Sequence, residues 1–113
     1  MVDILRLKQL LESHLVSTSI MGYALVEGSQ TLINKDCVEI NELLKRIEIS
    51  NQVSKELLKE KPEQVVLEEG DYIFIIYPIK EDWYLIIKTT PAHHKEVDVQ
   101  IAGLLRSIEQ MLG

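Results

Sequence analysis

The three histidines are residues that could do chemistry, because histidine is a common metal ligand. His93 and His94 are adjacent, but consecutive residues on a helix point about 100° apart. No group of Cys, His or carboxylate residues at ligand spacing accompanies them. We therefore predict no metal site, and we expect both to be solvent-exposed in a loop or a first helical turn. His14 lies beside the apolar stripe of the first predicted helix, where we expect a half-buried packing residue.

Cys37 is the only cysteine and stands at the start of a predicted helix, whose dipole can lower the pKa of a thiol. A catalytic nucleophile would also need a positioned base and an oxyanion site, and the sequence indicates neither. We therefore expect Cys37 to pack as a small hydrophobic residue. One cysteine allows no internal disulfide, which is typical of a reducing compartment.

Two further groups of residues could take part in catalysis or ligand binding but lack supporting partners. Glu68, Glu69 and Asp71 could indicate acid–base chemistry, yet solvated charges at a strand end and turn explain them more simply. Residues 88–90, Lys-Thr-Thr, are similar to the end of a phosphate-binding loop, but no Gly-x-x-x-x-Gly precedes them and they lie on a predicted strand. The sequence thus predicts no catalytic residue, no cofactor, no GTP binding by the chain itself, and no enzyme.

Length and composition are those of one folded domain over residues 1–113. The chain is 46% hydrophobic and 27% charged, with five Gly and three Pro, which argues against disorder. Its net charge of −6 disfavours binding to nucleic acid or to an anionic membrane. There is no signal-peptide pattern, and the longest apolar run is far shorter than the roughly 20 residues of a membrane span. We expect a soluble, cytoplasmic protein.

Hydrophobic periodicity predicts three helices and five strands. The turns at Gly70-Asp71 and Glu81-Asp82 are too short for crossovers, so the last three strands form an antiparallel meander. The predicted strand at 72–79 is apolar on both faces and therefore needs helices on both sides of the sheet. The predicted fold is therefore α+β, a central five-stranded, mostly antiparallel sheet with helices on both faces, in the order α-β-β-α-β-β-β-α. Predicted helices are 3–16, 37–59 and one ending at 112; predicted strands are 20–26, 31–33, 64–68, 72–79 and 83–89.

Local signals place the ends of the second and third helices. Asp36 with Glu39 forms a pattern like a capping box at the start of the second helix. Thr90-Pro91 offers a cap and a first-turn proline for the third, although that helix can also begin nearer Lys95. Trp83 begins the last strand and is expected to pack in the core or at its rim.

The second helix carries two apolar stripes on roughly opposite sides. A helix that only covers a sheet needs one stripe, so the second requires another burial surface. That surface is either a second molecule or, alternatively, a long loop or the N-terminal helix of the same chain. The first stripe is Ile40, Leu43, Leu44, Ile47 and Leu58; the second is Val38, Ile49, Val53 and Leu57.

The element order and several local sequences resemble the Roadblock/dynein light chain superfamily, and the long first helix resembles its bacterial and archaeal MglB-type members. The matching segments are the hairpin at 22–28, the long helix after it, the meander at 72–87 and the apolar C-terminal helix. One departure is Glu27-Gly28-Ser29 in the first hairpin, where the family often carries a small residue or an Asp-Gly turn.

The resemblance implies one long helix on one face of the sheet and two on the other. It also implies a homodimer joined through the middle helix and the edge strand 64–68. Such proteins are non-catalytic platforms that bind small Ras-like GTPases or motor subunits. Two alternatives remain: a light-chain-like structural adaptor without a GTPase, and a small-ligand sensor domain. The predicted dimer and partner interface consists of Val38, Ile49, Val53, Leu57, Val65, Val66 and Leu67.

Overall fold

The structure is a computed structural model that describes residues 3–28, 30–37, 40–46, 64–80 and 82–113. Its elements follow the predicted order. They are α1 (Ile4–His14), β1 (Ile20–Glu27), β2 (Gln30–Lys35), the helical residues 40–46, here called α2, β3 (Val65–Glu69), β4 (Tyr72–Pro78), β5 (Trp83–Thr89), a 3₁₀ turn (Pro91–His93) and α3 (His94–Met111). None of the described helices is long and apolar enough to cross a membrane.

The five strands form one sheet in the order β2-β1-β5-β4-β3, and every neighbouring pair is antiparallel. The last three strands are the predicted meander, and β5 then pairs with β1 to join the two halves of the sheet. The predicted α+β fold is confirmed. β2 is longer than predicted because Asn34 and Lys35 still pair with Ala24 and Tyr23.

The sheet separates two apolar cores, because side chains alternate along each strand. Helices α1 and α3 cover one face, and α2 covers the other, as the resemblance implies. Trp83 packs in the core covered by α1 and α3, and Tyr84 packs in the core covered by α2. The α1/α3 core includes Leu7, Leu11, Tyr23, Leu25, Ile73, Ile75, Tyr77, Leu85, Ile87, Val97, Ile101, Leu104 and Ile108. The α2 core includes Ala24, Val26, Cys37, Ile40, Leu43, Phe74, Ile76 and Ile86.

Helix α1 begins and ends where its side chains can satisfy the terminal backbone groups. Asp3 is its N-cap, and the carboxylate accepts a hydrogen bond from the backbone N–H of Arg6 at 3.2 Å. The prediction for His14 is wrong: its ring is exposed, and Nδ1 lies 3.0 Å from the backbone oxygen of Leu10. The ring folds back over the last turn of its own helix instead of packing on the sheet.

The segment between β2 and α2 differs from the predicted capping box. Asp36 has φ 57°, the left-handed conformation, whereas an N-cap residue is extended. Cys37 is not helical and is held by Asn34, whose Oδ1 accepts from the Cys37 N–H at 3.1 Å and whose amide donates to the Cys37 oxygen at 3.0 Å. Cys37 is buried, and its predicted packing role is confirmed. Glu39 lies outside the described residues.

Gly22 is required where this segment passes over β1. A Cβ at position 22 would lie 2.6 Å from the backbone oxygen of Asp36 and 2.8 Å from that of Lys35. Both atoms belong to backbone, so the neighbours cannot rotate away. Any larger residue at position 22 must displace the chain that leads from β2 to α2.

We expect Gly22→Ala to lower the free energy of unfolding by about 1–3 kcal/mol, the usual cost of overpacking a closed site. Urea denaturation followed by circular dichroism measures it. Gly103→Ala is the matched control, because a Cβ at this exposed position of α3 meets nothing within 4 Å. Removing a helix glycine should instead stabilise the protein by up to about 1 kcal/mol. Equal effects of the two substitutions would contradict the close approach at Gly22.

Candidate protein-interaction surface

Strand β3 is an edge of the sheet with a regular register. Its five residues pair with β4 without any shift, from Val65 with Ile76 to Glu69 with Tyr72. No described strand pairs with its other side. Val66 is 38% exposed, although valine is apolar. An edge strand of this kind offers unpaired backbone groups to another chain.

The opposite edge, β2, is protected in a way that β3 is not. Leu25 pairs with Ile33 and Val26 with Thr31, so Leu32 is the extra residue of a β-bulge. β2 also ends on the exposed Lys35. Bulges and edge lysines both hinder pairing with a further strand. β3 has neither device, which makes it the edge suited to association.

An ion pair joins α2 to the end of β3. The guanidinium of Arg46 contacts the carboxylate of Glu69, and both side chains are partly exposed. Next to it, the ring of Tyr72 packs edge-on against Phe74, with centroids 5.5 Å apart. The three carboxylates of this region do not form an acid–base cluster: Glu69 is paired, while Glu68 and Asp71 are exposed at the strand end and turn.

A polar network anchors the start of β3 to α3. His94 Nε2 lies 2.8 Å from Gln64 Oε1 and 3.5 Å from Asp98 Oδ2. The Tyr77 hydroxyl donates to Asp98 Oδ1 at 2.5 Å. Burial, followed by this hydrogen bond and the carboxylate charge, raises the pKa of Tyr77 well above its usual value. Tyr77 therefore acts here as a neutral donor that fixes the Asp98 carboxylate.

The expectation of solvent-exposed histidines at 93 and 94 is wrong. Both are half-buried, and His93 Nδ1 lies 2.8 Å from the Thr90 hydroxyl. Their position in a first turn is confirmed, since the 3₁₀ turn ends at His93 and α3 begins at His94. No group of three potential metal ligands occurs among the described residues.

The predicted phosphate-loop-like residues lie within β5 and its end. Thr89 is fully buried, and its hydroxyl donates to the backbone oxygen of Ser19. The ammonium of Lys88 stands 4.3 Å from the centroid of the Tyr72 ring, a cation–π contact on the α2 face. Both residues therefore have structural roles in the sheet.

The predicted interface residues fall into two groups. Val38, Ile49, Val53 and Leu57 lie outside the described residues. Val65, Val66 and Leu67 all lie on β3, but on different faces. Val65 and Leu67 pack against the α2 core, and Val66 faces the other side, next to Ile75. What the three share is the outer edge of one strand. Sequence reasoning missed the contact of His94 with Gln64, because no local spacing relates residues so far apart.

This architecture, with five antiparallel strands, one helix on one face and two on the other, is the Roadblock/LC7 fold. No protein-family model and no curated protein matches the sequence. Among solved structures, MglB of Myxococcus xanthus superposes with a TM-score of 0.83 at 7% identity, covering 97% of this chain and 90% of that one. An MglB with a tetrameric arrangement gives 0.75 at 14% identity, covering 96% and 88%.

A Roadblock/LC7 domain from Streptomyces avermitilis gives a TM-score of 0.73 at 10% identity, covering 99% of this chain and 98% of that one. These identities are low, so the likeness establishes the fold and not the activity. The fold that the sequence resemblance implies is therefore confirmed, including its likeness to MglB structures. The nearly full coverage of both chains shows that the described elements correspond from α1 to α3.

Proposed function

We propose that the protein is a non-enzymatic homodimeric platform that joins two copies through the predicted second helix (37–59) and β3 and binds a small Ras-like GTPase. The observation that carries this proposal is the asymmetry of the sheet edges. β2 is blunted by the bulge at Leu32 and by Lys35, whereas β3 has a regular register and an exposed valine, Val66. Pairing of β3 with its copy would continue the sheet across a two-fold axis.

The packing of α1 supports a second molecule on the α2 side. One alternative was that the N-terminal helix covers the second apolar stripe of the middle helix. The buried residues of this N-terminal helix, Leu7 and Leu11, instead pack in the α1/α3 core, on the other face of the sheet. A domain of this size also buries a modest fraction of its surface by itself and gains from association.

The GTPase part of the proposal comes from the resemblance to Roadblock proteins together with the shared fold. The chain's sequence contains no Gly-x-x-x-x-Gly-Lys, so the nucleotide would be bound by the partner. Dimerisation would present two α2 helices and a continuous sheet as one surface. The platform would then modulate GTP hydrolysis through the GTPase's own residues.

The test is a binding measurement with purified components. We expect sedimentation velocity at micromolar concentration to give twice the mass of one chain. We further expect the dimer to bind a Ras-like GTPase from the same genome, with affinities that differ between its GDP and GTP-analogue forms. A dimer that binds none of these GTPases in either form would contradict the GTPase part and favour the structural adaptor. A monomer would contradict the platform as a whole.

A further inference from the structure

An open cleft of about 380 Å³ lies at the end of the sheet where β1 begins and β2 ends. Residues from the C-terminal end of α1, from the turn before β1 and from the end of β2 form its walls. It is separate from the β3 edge, which is at the far side of the sheet. Three independent features of this cleft point to one kind of ligand.

The first feature is exposed apolar surface at the rim. Val16 is 81% exposed and Met21 is 45% exposed, and both line the cleft with the buried Leu15. Met21 is exposed because it is the extra residue of a β-bulge: Ile20 pairs with Thr89, and Gly22 pairs with Lys88. Bulges commonly redirect a side chain towards a binding site. The rim can therefore cover the aliphatic part of a ligand.

The second feature is uncompensated negative charge. Glu12 and Asp36 line the cleft, and neither forms an ion pair with any residue that the structure describes. Helix α1 ends here at His14, so the partial negative charge of its C-terminal carbonyls adds to theirs. Lys35 is the one cationic residue of the lining. The negative charge of two carboxylates and a helix C-terminus thus exceeds the positive charge of one ammonium group.

The third feature is a tyrosine hydroxyl for which the described residues provide no hydrogen-bond partner. The side chain of Tyr23 is 4% exposed and lines the cleft, and its hydroxyl makes no hydrogen bond to the part of the chain that is described. Glu12 and Asp36 line the same cleft as the Tyr23 side chain. Burial, then the charges of these two carboxylates, raises the pKa of Tyr23. Buried polar groups nearly always have hydrogen-bond partners, so this hydroxyl is available to a ligand that enters the cleft.

We propose that this cleft binds an ammonium or guanidinium group carried on an aliphatic stem. Glu12, Asp36 and the Tyr23 hydroxyl accept the hydrogen bonds of the cationic head. Val16 and Met21 cover the stem. The ligand is either a lysine or arginine side chain of a partner protein or a free alkyl amine, which present the same chemistry. The inference does not depend on dimerisation or on a GTPase.

Titration of the full-length chain, followed by NMR, tests this site with three probes. Nα-acetyl-lysine amide represents a partner's side chain, butylamine a free amine, and Nα-acetyl-norleucine amide the same stem without charge. We expect saturable shifts of the Met21 and Tyr23 signals with the two cations and at least tenfold weaker binding of the neutral probe. Tighter binding of the lysine amide identifies a protein source, and tighter binding of butylamine a free amine.

Variants separate a binding site from a structural tyrosine. We expect Tyr23→Phe and Glu12→Gln each to weaken binding of the better cation at least fivefold. Tyr23→Phe should leave the melting temperature unchanged or higher, because no hydrogen bond to a described residue is lost. Glu109→Gln, an exposed residue of α3, is the control and should bind like the wild type. The proposal is overturned by the absence of saturable shifts, by equal binding of the neutral probe, or by unchanged affinity of the two variants.

Discussion

Replacing Phe74 with alanine is expected to lower the free energy of unfolding by about 3–5 kcal/mol, the usual cost of removing a buried aromatic ring. Phe74 is fully buried in the α2 core, in the middle of β4, and pairs with Leu67 of β3 and Lys88 of β5. Its ring also meets Tyr72 edge-on, at an interplanar angle of 89°. Such aromatic pairs add about 0.5–1.5 kcal/mol to the burial term.

This loss is large against a total stability of about 5–15 kcal/mol for a domain. Urea titration at one protein concentration measures it, because association also stabilises the folded state. We expect a lower midpoint with an unchanged slope. Val99→Ala is the control: Val99 is 79% exposed on α3, and surface substitutions change stability by about 0.5 kcal/mol or less. A loss below 1 kcal/mol for Phe74→Ala would mean that α2 does not seal this core.

Replacing Val66 with glutamate is expected to separate the proposed dimer into monomers. In an antiparallel pair of β3 strands, Val66 faces the partner's Val66 if the axis passes through position 66. It faces the partner's Glu68 if the axis passes through Leu67. A glutamate at position 66 meets a like charge in both registers, which is destabilising across strands. Two-fold symmetry repeats the change, so we expect the dissociation constant to rise about 100-fold, or ~2.7 kcal/mol.

Sedimentation velocity across a concentration series measures this change. Val99→Glu is the matched control, since it places the same charge on an exposed valine away from β3. Val66→Lys then reports the register: lysine is repelled by its own copy but attracted by Glu68. A Val66→Glu protein that dimerises like the wild type would show that β3 is not the pairing edge.

The α2 face and the β3 edge are coupled through a small number of contacts. Arg46 on α2 pairs with Glu69 on β3, and Gln64 just before β3 contacts His94 on α3. The edge strand is thus held at both ends by helices from opposite faces of the sheet. A rigid edge loses little conformational freedom on pairing, which favours association.

Sequence periodicity was most informative for helices that bury a continuous apolar stripe and for strands that bury a continuous apolar run. It predicted the bounds of β5 and placed those of α3 and β4 within a few residues, because their apolar residues recur at the period of the element. The sequence prediction failed where one polar side chain can form alternative hydrogen bonds with nearby backbone groups. Asp36 was predicted as a helix cap, but it takes a left-handed conformation, while Asn34 binds the backbone of Cys37. Competing short-range hydrogen bonds of similar energy are not separated by spacing alone.

The sequence by itself determined the α+β fold and the order of its elements. Only the tertiary structure decided which edge of the sheet is free to pair and which side chains meet at the cleft. The bulge at Leu32, the exposed Met21 and the presence of Glu12 and Tyr23 in one cleft all depend on contacts between separate elements. Local periodicity specifies how each element buries its own stripe, whereas strand register and helix placement come from packing those elements together.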